Sequence, residues 1–403
     1  MKGLCLFCNS PPSPLSGRIH TMASPADTAW IIEQARAGGF SLCGIARAES
    51  YPEHARLPEW LACGYAGEMR YLADPRRNDP ARILPGAKSA IVCALNYNTP
   101  RPYSTEVPVD STDEAPHGWI SRYAWGHDYH ELILTKLNDL IGALRERFTE
   151  PFEARAYVDT GPILERAFAH RAGLGWQGKN TCLINEALGS WFFLGVIVTT
   201  LELLPSLGPA EAPPPDLCGN CRLCLDACPT GALVEPYVLD ASRCISYLTI
   251  ELRGSIPEEF RAPMGRHVFG CDICQDVCPW NRSVPATQLD SFHPRNISPR
   301  EKMPGESDAP ARAESLFQPR LEWLAALTEE EFRRVFRGSA IKRAKWRGIV
   351  RNACIALGNS SARRGTVTHA RISALLERLA ASPDAGIAEH ARWALARLCG
   401  KSA

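Results

Sequence analysis

The chain has 403 residues, 45 % hydrophobic and 22 % charged, with a formal net charge of +1 and sixteen cysteines. The length asks for two or three globular domains. Near-neutrality excludes binding of an acidic partner by bulk charge. Cysteine usage in so long a chain, without an export signal, excludes a secreted disulfide framework for most of the thiols.

Residues 1–23 are read as a tail or an over-called start. The opening MKGLCLFCNSPPSP has one lysine and an apolar run too short for a signal peptide. A helix begins at "SPADTAW", with Ser24 as cap and Pro25 in the first turn. From there to residue 205 helical and strand-like segments alternate. "FSLCGIA", "SAIVCALNY", "AYVD" and "WFFLGVIVTT" read as strands. "DYHELILTKLNDLIGALRERF" reads as an amphipathic helix, with Asp128 and Glu131 as its capping box. The longest apolar stretch, fourteen residues from Trp191, contains a glutamate and suits a core strand, not a membrane span. The expected location is the cytoplasm, where thiols stay reduced and free to bind metal.

Three motifs in this region mislead. "GLGWQGKN" from Gly173 resembles phosphate-binding loops, but a helix precedes it and a strand-like segment follows, the reverse of what those loops need. "VDTGP" carries a single D-T-G, whereas an aspartic protease needs two carboxylates sharing a proton. Asp159 within it is, by residue type, a turn or capping aspartate first and a general acid second. His127 and His130 form H-x-x-H without further ligands at metal-binding spacing, and a capped helix start accounts for them.

A proline-rich linker at 206–215 leads into "CGNCRLCLDACP". Cys218, Cys221, Cys224 and Cys228 follow C-x2-C-x2-C-x3-C-P, the bacterial ferredoxin run, whose fourth cysteine ligates the other cluster of a pair. A second run, Cys271, Cys274 and Cys278, lacks one cysteine, and Cys244 between the runs replaces it. Eight thiols suffice for two [4Fe–4S] clusters. Cys218, Cys221, Cys224 and Cys278 are assigned to one, and Cys228, Cys244, Cys271 and Cys274 to the other. Structural zinc is the competing reading, and three cysteines in seven residues followed by C-P fit it poorly. Two adjacent clusters transfer electrons, and in a chain this long they feed a reaction centre.

Residues 298–315 read as a surface loop, and helices follow. Between Glu331 and Arg351 stand eight basic residues and one acidic, +7 against +1 for the whole chain. Such an excess on helices is a phosphate-binding footprint, since a solvated face normally balances its signs. "NACIALG" and "HARWALA" share an alanine-rich pattern at an offset of 38 residues, near the period of HEAT-type repeats; an ordinary helical bundle explains them equally well.

Taken together, "LPGAKSAIVCALNY", "ISRYAWGHDYH", "VDTGPILERAFAHRAGLGWQGKNTCLI", the cysteine runs, "RCISYLTIE" and "FRGSAIKRAKWRGIVRNACIALGN" resemble the epoxyqueuosine reductases, cobalamin-dependent iron–sulfur enzymes of tRNA modification. The likeness runs from about residue 30 to the C-terminal helices. It departs only in the first 22 residues, the 206–215 linker and the 298–315 loop. It implies the last step of queuosine synthesis, loss of the epoxide oxygen as water at the wobble base of the anticodon. It also implies cobalamin, although the common D-x-H-x-x-G motif is absent. By resemblance Asp159 is the acid that protonates the leaving oxygen, and Arg82, Arg122, Asn180 and Ser246 contact cobalamin. Lys342, Arg343, Lys345 and Arg347 grip the anticodon stem-loop. An external low-potential donor supplies electrons, no membrane is involved, and a monomer is expected. A small-molecule reductase resembling reductive dehalogenases is the alternative, and it has no need of the basic segment.

The fold expected is α+β: a mixed-sheet cobalamin-binding domain over 24–205, a ferredoxin-like two-cluster domain over 206–297 and helical HEAT-like repeats over 298–403.

Overall fold

The structure, a computed structural model, describes residues 24–108, 115–298 and 313–400. The tail read over 1–23 and most of the loop read over 298–315 lie outside them. The ends of that loop pair as short antiparallel strands, Asn296–Ile297 with Glu314–Ser315.

Helix α1 (Pro25–Ala37) starts as its sequence requires. Ser24 Oγ accepts from the Asp27 amide, and the Asp27 carboxylate accepts from the Ser24 amide. Four strands then form one sheet: β1 (Leu42–Arg47), β2 (Ser89–Asn96), β3 (Ala154–Tyr157) and β4 (Phe192–Thr199), in the order β1–β2–β4–β3. Every pairing in it is antiparallel, which corrects the mixed sheet expected from the sequence. Alternating helices and strands suggested parallel crossovers, but successive elements here return along neighbouring strands instead. A parallel pairing lies elsewhere, between Trp119–Ile120 and His267–Phe269, and it ties the sheet region to the cysteine region.

The strand alternation separates two apolar faces. Ile45, Ile91, Cys93, Leu95, Phe193 and Ile197 face α1 and α2 (Tyr129–Arg147). Ala90, Val92, Ala94, Val196 and Val198 face α3 (Glu165–Arg171). Helix α2 lies close on the sheet because β4 offers Gly195 beneath it; a Cβ there would come within 2.8 Å of Ile133 and 2.9 Å of Leu137. That close approach sets the height of the α2 N-terminus over the sheet. Asp128 caps α2 by accepting from the His130 amide at 3.2 Å. The expected box with Glu131 is absent from the cap, because His130 and Lys342 occupy the rest of the Asp128 carboxylate.

The first apolar cluster continues into the C-terminal helices α4 (Lys345–Asn359), α5 (Val367–Ala380) and α6 (Ala385–Cys399). The two alanine-rich segments fall on α4 and α6, which touch where a Cβ on Gly358 would lie 2.8 Å from Ala394 Cα. Buried polar groups lock α4 to the cysteine region. Arg351 donates to the carbonyls of Leu248, Leu252 and Gly254, and Asn352 to those of Thr249 and Val268. Arg351 therefore leaves the basic footprint and belongs to the core. No described helix is long and apolar enough to cross a membrane.

Candidate iron–sulfur centres and the Asp159 site

The two cysteine runs fold alike. Each places a cysteine just before a single helical turn, one inside it and one after it, around Leu223–Asp226 and Ile273–Asp276, and the first run adds Cys218 ahead of these. Cys218, Cys221, Cys224 and Cys278 surround one cavity of about 240 Å³, with Lys179, Asn180 and Trp280 on its walls. Cys228, Cys244, Cys271 and Cys274 form the second group, close enough that Cys228 and Cys244 both raise the Cys271 thiol. The fold thus gathers the eight thiols into two neighbouring groups.

These residues fit clusters. Among the described residues no three His, Cys, Asp or Glu side chains converge on a point that would hold a single metal ion. The thiols stand instead around a volume. Burial, and then the neighbouring thiols, push Cys224 and Cys278 up to about 11, so these sulfurs become thiolates only when a cation joins them. Donors are already in place: Ala232 N–H lies 3.3 Å from Cys228 Sγ, and Ser246 supports Cys244 through its amide and hydroxyl. Such hydrogen bonds to sulfur raise a cluster's potential.

A second site opens beside them. The chain leaves β3 at Tyr157, and two residues later Asp159 stands at φ +55°, a left-handed conformation uncommon for aspartate. Its side chain is 68 % exposed. Neighbouring groups still displace part of its hydration, and that alone raises its proton affinity. The nearby His130 ring and the hydrogen bond from Tyr129 outweigh this and hold the carboxyl below its usual range. Tyr129 Oη donates to Asp159 Oδ2 at 2.7 Å. His130 Nε2 lies 3.6 Å from the same oxygen, beyond a formed hydrogen bond, and is buried without a partner. Across the site Glu165 Oε1 is likewise buried and unpartnered, and burial followed by the charge of Asp159 raises that carboxyl to about 7. Buried polar atoms left open around an exposed carboxylate fit a large polar group bound against them. Tyr123 senses both Asp159 and Asp272, the neighbour of Cys271, and so stands between this site and the second thiol group.

The four residues expected at cobalamin fall differently. Arg82 is exposed, with Asp79 at 3.4 Å. Asn180 is 4 % exposed, donating to the Cys274 carbonyl and accepting from the Cys182 amide. Ser246 is engaged at Cys244. Arg122 is a correction: it is 1 % exposed, and its guanidinium donates to Thr99, Arg101 and Pro102 while lying between the rings of Trp125, Trp191 and Tyr103. Asp272 accepts from its amide and supplies the counter-charge. A cation so enclosed is structural. Arg122→Ala strands those carbonyls and is expected to cost about 3–5 kcal/mol of stability. The midpoint of urea unfolding followed by tryptophan fluorescence reads this, and an unmoved midpoint would remove the structural role.

Lys342, Arg343, Lys345 and Arg347 are exposed at the start of α4. The excess counted along the chain is nonetheless partly neutralised in space. Lys342 pairs with Asp128 at 2.6 Å, Arg343 with Glu251 at 2.8 Å and Arg347 with Asp384 at 2.8 Å.

Sequence reading assigned His130 and Tyr129 nothing beyond a helix start. The only local signal is the spacing Asp128-x-His130 at a helix cap, which brings the imidazole Nδ1 to 2.7 Å from the cap carboxylate.

Comparisons agree with this geometry. A family model described as epoxyqueuosine reductase QueG, DUF1730 matches residues 77–160, and one described as a 4Fe-4S double cluster binding domain matches 217–281. An epoxyqueuosine reductase of Shewanella oneidensis is 41 % identical over 372 residues, 90 % of this chain and 86 % of that one. One of Pseudomonas aeruginosa is 39 % identical over 396 residues, 96 % and 98 % of the two chains. Among solved structures, an epoxyqueuosine reductase with an epoxyqueuosine-modified tRNA-Tyr stem loop superposes with a TM-score of 0.77 at 31 % identity, covering 93 % of this chain and 90 % of that one. The Bacillus subtilis enzyme, with a catalytic aspartate loop swung out of the active site, gives 0.76 at 29 %, with the same coverage.

Proposed function

The chain belongs to the epoxyqueuosine reductase family and reduces epoxyqueuosine to queuosine at the wobble position of tRNA, and from this we propose how its residues divide the work. Residues 24–205 carry the reaction centre, 206–297 the two clusters and 298–403 the main grip on tRNA. When bound, the clusters supply electrons and cobalamin supplies a strongly nucleophilic reduced cobalt.

Asp159 holds the proton destined for the epoxide oxygen. The observation that carries this is its placement: an exposed carboxylate, in a strained backbone conformation, hydrogen-bonded by Tyr129 and flanked by unpartnered polar atoms. Cobalamin would be held by the open polar atoms around Asp159, and of the four side chains expected to contact it only Arg82 is exposed. Asn180 and Ser246 act from behind, holding Cys274 and Cys244. The loop of Asp159 corresponds in role to the catalytic aspartate loop of the Bacillus subtilis enzyme. The anticodon's unpaired bases can be splayed toward Asp159 while cations hold the backbone.

The direct test is mass spectrometry of nucleosides from tRNA incubated with the purified protein, cobalamin and a low-potential reductant. The expected result is loss of one oxygen from epoxyqueuosine. No conversion by protein loaded with both cofactors would overturn the reading.

Lys342, Arg343 and Lys345 changed together to alanine weaken tRNA binding. The dependence of log affinity on log salt becomes shallower by roughly 0.7–0.9 for each phosphate that is no longer neutralised. Binding isotherms across a KCl series measure this, and an unchanged slope and affinity would place the grip elsewhere.

A further inference from the structure

Reducing an epoxide to an alkene consumes two electrons and two protons and releases one water. Both protons go to the oxygen. The first arrives as a C–O bond breaks and leaves a hydroxyl; the second turns that hydroxyl into the departing water. The electrons are those the established reaction already uses. Asp159, if it is the acid, must be loaded twice in each turnover. Its own carboxyl is a poor store, since the His130 ring and the hydrogen bond from Tyr129 hold it below the usual range.

The structure places a store behind it. Lys342 Nζ, Asp128 Oδ2 and Oδ1, His130 Nδ1 and Nε2, and Asp159 Oδ2 follow one another at 2.6, 2.7 and 3.6 Å. Charges alternate along this row: cation, anion, imidazole, anion. Asp128 is only 2 % exposed, so its carboxylate meets both partners with little water around it, although Lys342 itself is exposed. With Nδ1 directed at Asp128, Nε2 is the atom left to deal with Asp159. It is buried and has no other partner. Asp159 sits in a strained, exposed loop from which a small shift closes the remaining gap.

We propose that His130 is the proton reservoir of the reaction: through Nε2 it reloads Asp159 after each protonation of the oxygen, held for this by Asp128 and Lys342. His130 acts through Asp159 and does not touch the substrate. The inference rests on Asp159 being the acid.

The groups facing the ring are Asp128 and Tyr129 at the start of α2, Asp159 from the loop after β3, and Lys342, from the segment before α4, behind Asp128. Tyr129 also stacks on the imidazole with ring centres 4.0 Å apart. Burial disfavours the charged ring, but Asp128 and then Asp159 prevail and raise it to about 9, so the reservoir is filled at neutral pH. Substrate bound over Asp159 removes water from its exposed carboxylate. Desolvation raises the proton affinity of a carboxylate and lowers that of an imidazolium, which favours transfer at the moment it is needed.

Two measurements test this. In the first, imidazole NMR of the cluster-loaded full chain follows the His130 signal, identified by its loss in His130→Gln. It should titrate near pH 9. In Asp128→Asn, where asparagine still caps the helix, it should move down by roughly one to three units. Titration near the ordinary histidine value in the native chain would overturn the proposal. In the second, kcat/KM is followed against pH. The native chain loses rate only as pH rises through the His130 value, and Asp128→Asn loses it earlier. His130→Gln must draw each proton from solvent through Asp159, so its rate falls about tenfold per pH unit across neutrality. A His130→Gln profile parallel to the native one, merely lower, would reduce His130 to a structural part. These outcomes are separable from failure of the underlying reading, which would appear as no conversion by the native chain or as full turnover in Asp159→Ala.

Discussion

Asp159→Ala lowers turnover on epoxyqueuosine-containing tRNA by roughly 10²–10⁴-fold, the usual worth of a positioned general acid. The loss should come without unfolding. The side chain is 68 % exposed, and its one short hydrogen bond is to the Tyr129 hydroxyl. Iron content and bound cobalamin stay at native levels. Asp159→Asn sharpens the result. It keeps the shape, tolerates the left-handed backbone and still accepts from Tyr129, but it cannot hold a transferable proton. Both variants should therefore fail alike in chemistry. Native turnover in either would remove Asp159 from the reaction.

Cys244→Ser lowers the iron of the purified chain from about eight atoms to about four, the content of one [4Fe–4S] cluster. Cys244 lies outside both ferredoxin runs, yet it sits with Cys228, Cys271 and Cys274 and is supported by Ser246 and the Tyr247 amide. Serine offers a harder oxygen on a shorter bond, a poor match for iron bridged by sulfide. Cys182→Ser is the internal control. Its thiol contacts Cys274, so proximity alone makes it a rival ligand. With the second group already complete, Cys182→Ser keeps about eight irons. Iron analysis with electron paramagnetic resonance of the reduced proteins separates the cases. Equal loss in both variants, or in neither, would overturn the eight-thiol assignment.

The two cysteine runs were legible before any fold was known, and the reason is local. Spacings of two and three residues around a single helical turn dictate where sulfurs can point, whatever the rest of the chain does. Strand faces were legible for a similar reason, since alternation along β2 and β4 sorts side chains between two apolar layers. The helix start at Ser24 likewise depends on three consecutive residues after it. Sheet direction was not legible. Strands alternating with helices are compatible with parallel and antiparallel order, and only the pairing of β2 with β4 across about a hundred residues decides it.

Arg122 and Arg351 show the same limit for charge. As letters they read as a ligand contact and a phosphate contact; in the fold both are enclosed and spent on backbone carbonyls. The basic run from Glu331 to Arg351 counted +7 along the chain, but Asp128, Glu251 and Asp384 meet Lys342, Arg343 and Arg347 from far away in sequence.

By itself, then, the sequence determined which chemistry this protein carries: its short-range spacings mark seven of the eight thiols assigned to clusters, and its motifs resemble one family throughout. Only the tertiary structure decided how that chemistry receives its protons. The Lys342–Asp128–His130–Asp159 row joins a helix cap, a strand-end loop and the C-terminal region. Electrostatic partnership falls off within a few ångströms, while chain distance between those residues runs to more than two hundred positions, so no local pattern could have announced it.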